Sequence, residues 1–387
     1  MTKLYASLAL GLLAAACGGG GGSAPIATEN ASAPAPVAAA PAAAPPADST
    51  IDCPMFPASA IFNTRIDDTA RFPVHADNAA WQELVGRATP FTANWGTSSN
   101  PSDLQDYWGM PFNVVDAAAT QWPLVSFDYA ASGLVFEASY PAQSDCASSA
   151  DGSGVVRGCT QVPASQRRFP FPSGTTLAEG GDCGGPSGCG DRHVLVVDKA
   201  ACRLWEAFYA HRIAGQWYAV ATASWDLRSN AMRPDGWGAA DAAGLPITPL
   251  LAKANEAASG EIRHALRVTF RDAALSLQHV WPARFAAGSD NPGAIPFGSL
   301  LRLRADFAIP DAWSPQAKAV ARAAQRYGLY VADNGADLHV QGAPDSAWDP
   351  AVWQQLRSIT MADMEFVDTG AITRDARFAK DSLQAGW

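Results

Sequence analysis

The chain has 387 residues, with 27 Lys or Arg against 37 Asp or Glu and a formal charge of −10. That balance, with no basic run anywhere, argues against nucleic acid or polyanions as partners and favours neutral or weakly charged ones. No Gly-x-Ser-x-Gly elbow, phosphate-cradling loop or paired metal-ligand motif occurs, so α/β-hydrolase and nucleotide chemistry are disfavoured and neither metal nor cofactor is expected.

The N-terminus reads MTKLYASLALGLLAAAC, one lysine ahead of an apolar and small-residue run. This is the layout of a secretory signal over residues 1–16, too short to span a bilayer as a helix. Leu13-Ala14-Ala15-Ala16-Cys17 resembles a bacterial lipobox, which implies a lipid-anchored Cys17. Residues 17–50 follow as Gly, Ala, Pro and Ser without apolar periodicity, a disordered linker. Gly18, in place of the retention aspartate, implies the outer membrane, so the expected partner is the membrane itself, reached through the lipid.

Residues 51–387 are long enough for a single globular domain with its own core. A short helix is predicted over Asn78–Arg87 with Asn78 as its cap, and alternation predicts a strand over Trp122–Tyr129. From Asp191 onward RHVLVVD, CRLWEAFYA and QWYAVATASWD read as successive strands, with Ala219, Ala221 and Ala223 forming a small-residue trough between Trp217 and Trp225. Either a tightly packed layer or a ligand fits that trough.

Further strands are predicted at His264–Arg271, Leu300–Ala305, LYVAD and LHVQG. Ser314-Pro315 opens a helix ended by Gly328, and Pro350–Ile359 gives another. The fold expected is mainly β with a few helices (α+β), an antiparallel β-sandwich or jelly-roll-like domain.

Beyond Cys17, six cysteines remain, and in an oxidising compartment an even number reads as disulfides, with fifteen connectivities open. Sequence proximity suggests Cys146 with Cys159 and Cys183 with Cys189, leaving Cys53 for Cys202. A metal site is the alternative, but Cys183-x5-Cys189 lacks the short paired spacings of zinc motifs. Thirteen tryptophans in an exported chain mildly favour glycan contact, although for any single one a place in the core is the stronger expectation.

Strand parity puts Glu206 on one face with Leu204 and Phe208, a carboxylate in apolar surroundings that must be paired, hydrogen-bonded or protonated. His264 heads the apolar face of its strand, with Arg263, Arg267 and Arg271 opposite. The long loop from Trp225 to Pro246 carries Asp226, Ser229, Asn230, Arg233 and Asp241, and AEGG at 178–181 precedes a second polar stretch with Asp191, Arg192 and His193.

FPASAIFN, AEGG, GDRHVLVVD, WDLRSN to DAAGLP, GEIRHALR, WPAR and VADNG together resemble, in that order, a widespread family of uncharacterised exported bacterial proteins. The resemblance covers most of residues 53–368 and transfers no catalytic role, and the segment between Cys183 and Cys189 departs from the family's usual form.

Paired carboxylates among aromatics suggest a glycoside hydrolase, with Glu206 as proton donor and Asp226 or Glu261 as nucleophile or base. Arg192, His193, Asn230, Arg233, Asp241 and His264 are then the substrate-binding candidates. In a polysaccharide lyase, Arg192, Arg233 or Asn230 would neutralise a uronate while His193 or His264 takes the α-proton. A non-catalytic glycan-binding or adhesion lipoprotein, and a structural envelope protein, need only the stalk and the β domain.

Overall fold

A computed structural model describes residues 53–117, 121–132, 139–152, 154–185 and 188–387. The signal, Cys17 and the linker lie outside the described residues.

The domain is mainly β with a few helices, and its sheets are mixed rather than purely antiparallel. Six strands form one sheet in the order Thr92–Asn94, His339–Gln341, Leu266–Phe270, Leu329–Asn334, Leu300–Leu303 and Met364–Val367. Leu266–Phe270 runs parallel to Leu329–Asn334, and the helix Pro315–Arg326 precedes the second of these strands, as a parallel pairing requires a long return. A second sheet orders Ala221–Asp226, Arg203–Phe208, Val194–Asp198 and Phe112–Val115; its last pair is parallel and the others antiparallel.

Both faces of this four-stranded sheet are covered. Val194, Val196, Trp205 and Ala207 pack into one apolar cluster with Trp122, Phe169 and Trp217. Val197, Leu204, Ala223 and Trp225 join the main core, which also takes Leu266, Val268 and Leu329 from the six-stranded sheet. Strands buried on both sides lose the polar alternation by which a sequence announces an exposed face.

Several predicted elements shift. The helix at Asn78–Val85 has Asp77 at its N-cap; the Asn78 side chain instead accepts a bond from the Phe366 amide at 2.8 Å. Of Trp122–Tyr129 only Val125–Ser126 is strand, with a 3-10 turn at Tyr129–Ser132.

The run from Gln216 to Asp226 breaks into Gln216–Tyr218 and Ala221–Asp226, which belong to different sheets. The alanine trough is therefore no continuous face; Ala219 and Ala223 are fully buried by packing. The helix beginning at Pro315 is as its signals predict: Ser314 Oγ accepts from the Ala317 amide. Gly328 stops it at φ +78°, where a Cβ would stand 2.7 Å from the Leu301 carbonyl oxygen.

Two of the expected disulfides form, the local pair Cys183 with Cys189 and the remaining pair Cys53 with Cys202. The third expected pair does not: Cys146 and Cys159 are buried free thiols. Burial, and then a hydrogen bond to Cys146, raise the Cys159 pKa, so the thiol rather than the reactive thiolate is favoured.

Candidate active site

The sequence candidates for an acid and base pair do not meet. Glu206 is fully buried and accepts from the Ile247 amide at 2.9 Å and from the Thr248 amide and hydroxyl at 2.8 and 2.9 Å. Desolvation raises its pKa against those bonds. It ties the chain after the 225–246 loop to the four-stranded sheet and, with no exposed surface, is no proton donor to a substrate.

Asp226 is exposed and accepts from the Arg228 amide at 2.9 Å. Glu261 forms surface ion pairs with Arg263 and Arg326. His264 bonds Glu256 at 2.8 Å and the Ala265 carbonyl at 2.8 Å, holding the helix Ala254–Ala258 against its strand. Asn230 clamps Ser59 and Gln384, joining early and late segments of the domain. Arg233 is a buried structural guanidinium paired with Asp145 at 2.9 Å.

His193 and Asp241 do come together, with three residues not singled out from sequence: Glu179, Arg267 and Asp333. Arg267 rises from Leu266–Phe270 on the face opposite Val268, yet is fully buried because that face is covered as well. Its Nη2 lies 3.1 Å from Asp241 Oδ2 and 3.4 Å from Asp333 Oδ2, so one nitrogen bridges two carboxylates. Arg267 Nε and Nη1 reach no acceptor among the described residues. For a guanidinium with no exposed surface that is an unusual state, because buried donors are nearly always paired.

The loop carrying Asp241 is fixed at several points. The Leu245 amide donates to Asp241 Oδ1 at 2.8 Å, and Gly244 turns at φ +69°, where a Cβ would stand 2.8 Å from the Trp237 carbonyl oxygen. The neighbouring Ala240 carbonyl lies 2.7 Å from His193 Nε2, while His193 Nδ1 lies 2.6 Å from Glu179 Oε2. Both partners are acceptors, so both ring nitrogens carry protons and the ring is an imidazolium. Its pKa agrees: burial opposes the charge, but Glu179 outweighs it and lifts the value to about 9.

Arg192 donates to the Glu179 and Gly181 carbonyls and so shapes the loop that presents Glu179. Glu179 and Asp333 are the members open to solvent, with side chains 26% and 18% exposed. Burial works against the charge on Glu179, but His193 overrides it and the pKa falls below its ordinary value. Asp333 goes the other way: desolvation raises its pKa despite Arg267 and His193. Asp241, with no exposed side chain and Asp333 beside it, is raised well above the ordinary range by desolvation.

The result is two solvent-reached carboxyls whose proton affinities are pushed in opposite directions within the same charged neighbourhood, the kind of divergence that acid and base catalysis uses. Among the described residues, no three His, Cys, Asp or Glu side chains are arranged to hold a metal ion. No helix among them is long and apolar enough to cross a membrane.

Each member of the cluster comes from a different quoted phrase: Glu179 from AEGG, His193 from GDRHVLVVD, Asp241 from the loop ending DAAGLP, Arg267 from GEIRHALR and Asp333 from VADNG. No protein-family model, no curated protein and no solved structure matches the chain.

Proposed function

We propose that this protein is an envelope lipoprotein, anchored through Cys17 to the outer membrane, whose β-rich domain hydrolyses glycosidic bonds in a neutral polysaccharide. The observation that carries the catalytic part is the pair of solvent-reached carboxyls with opposite proton affinities, Asp333 raised and Glu179 lowered, around a charged His193 and Arg267. Asp333 gives its proton to the departing glycosidic oxygen, and Glu179 acts as nucleophile or as base toward water. Asp241 and Arg267 hold Asp333 from behind, and His193 keeps Glu179 ionised.

The acidic chain, with no basic run in its sequence to draw polyanions, fits an uncharged substrate. The shared phrases suggest the same cluster throughout the family this chain resembles, since they supply all five members.

Incubation with a panel of neutral and acidic polysaccharides, read by release of reducing ends, tests the reading. Wild type should release sugar from a neutral member, and Asp333→Asn and Glu179→Gln should each abolish that release while remaining folded. Release undiminished in both variants would remove the assignment. Rising absorbance from an unsaturated product would turn the reading to a lyase, and binding without turnover would turn it to an adhesin. Cys17→Ser should move the protein from the membrane pellet to the soluble fraction, and continued pelleting would refute the anchor.

A further inference from the structure

A cleft of about 750 Å³ opens elsewhere on the domain, and no member of the Asp333 cluster lines it. Its walls come from the start of the helix Asn78–Val85, the strand end at Gln278 with Val280 and Trp281, the turn around Ser299, and the segment after Val367. That volume falls within the range of small-molecule sites.

Its lining alternates flat rings with polar groups. The His75 ring stacks on Trp81 at 4.6 Å and 16°, and His75 Nδ1 accepts from the Asp77 amide at 3.1 Å. Trp281 is half-buried and locked: Nε1 donates to the Ser382 carbonyl at 3.0 Å, and its ring meets Phe378 edge-on at 5.3 Å. A fixed indole presents area without the entropy cost of ordering it. Val280 beside it is 42% exposed.

The Gln278 amide and the Ser299 hydroxyl form no side-chain hydrogen bond to the described residues, so both are available to hydroxyl groups of a ligand. Asp368, held by the Gly370 amide at 2.7 Å and by Arg374, is a second carboxylate of the lining near His75, besides Asp77 at 3.8 Å.

We infer that this cleft is a second carbohydrate site, one that binds the rings of a neutral glycan without cleaving it. Pyranose rings have an apolar face that suits Trp281 and Val280 and a hydroxyl rim that suits Gln278, Ser299 and Asp368. Asp77 and Asp368 in the lining repel uronates and sulfated sugars, which selects neutral chains. The inference stands apart from the hydrolysis proposed above, because it needs no chemistry at Asp333.

Affinity electrophoresis of the full chain carrying Asp333→Asn, in gels containing soluble β-glucan, xylan, mannan or alginate, tests it without turnover. At least one neutral polymer should retard the protein and alginate should not. Adding Trp281→Ala should weaken retardation at least tenfold. Gln278→Ala, on an exposed strand end, should weaken it about threefold and serves if the tryptophan variant does not fold. Absence of retardation by every neutral polymer, equal retardation by alginate, or retardation unchanged in the folded variants would each overturn the site. Retardation of the Asp333→Asn chain with no hydrolysis by wild type would uphold the cleft and defeat the proposed reaction alone.

Discussion

Two buried arginines, Arg233 and Arg267, share the same exclusion from water and differ in everything else. Arg233 spends each of its three nitrogens, on Asp145, the Gly238 carbonyl and the Gln143 carbonyl, and lies over the rings of Trp225 and Trp237 at 5.6 and 5.7 Å. Arg267 spends a single nitrogen on two carboxylates and leaves the other two unbonded among the described residues.

A guanidinium built for stability is saturated, because each unmet buried donor costs about 1–3 kcal/mol. One left unsaturated beside more carboxylates than it can neutralise is retained at a cost to stability, and sites of chemistry are where proteins carry such costs.

The sharpest way to break this contrast is to remove each side in turn. Arg233→Ala leaves Asp145 buried with only the Ser224 amide and, at 3.9 Å, Arg157 as partners among the described residues, and should cost about 3–5 kcal/mol in denaturant unfolding. A loss below 1 kcal/mol would mean that the two arginines are not different in kind. Asp333→Asn should do the reverse. Its raised pKa means that ionising Asp333 costs the folded state at neutral pH, so the amide should leave stability unchanged or higher while hydrolysis falls at least about 100-fold. A large loss of stability would place Asp333 with the structural group.

The pH dependence sharpens the same comparison. The pKa of His193 is raised, so its bond to Glu179 contributes fully below the ordinary histidine value of 6.5 and is lost as pH climbs through about 9. Across that window the loss amounts to about 3 kcal/mol at most. Melting temperature should fall from pH 6.5 to 9 in wild type and fall less in Glu179→Gln; parallel curves would detach His193 from Glu179. The smallest effects belong to Asp226→Asn and Glu261→Gln, which should alter neither melting temperature nor turnover, since both side chains lie on the surface away from the cluster. Loss of turnover in either would return the catalytic centre to the residues that sequence spacing favours.

The sequence shows the long helix from Pro315, the strands after Asp191 and the buried carboxylate of Glu206 plainly, because caps, turns and parity are local signals. It does not show Arg267 as a buried group. Parity places Arg263, Arg267 and Arg271 on one face, which ordinarily means water, and only the layer across the sheet makes that face an interior. Asp333 and Glu179 are hidden for another reason: they lie 154 residues apart, and nothing local records that a parallel strand and a loop will bring them to one imidazolium.

The phrases AEGG and VADNG mark where to look without naming which side chain matters. Cys146 and Cys159 show the converse, since closeness in sequence suggests a bond that the folded chain replaces with a contact between thiols.

The Cys53 to Cys202 bond has a mechanical meaning. It joins the first described residue of the domain to the residue that precedes the strand Arg203–Phe208, across 149 positions. Any tension arriving along the chain before Cys53 therefore passes through sulfur into a strand hydrogen-bonded on both edges. The covalent path thereby bypasses the chain from Pro54 to Ala201, which carries Glu179 and His193 and meets the load only through contacts such as the pairing of Val194–Asp198 with Arg203–Phe208. A pull on the chain before Cys53 is thus borne by the sheet and not by the peptide bonds of this long loop.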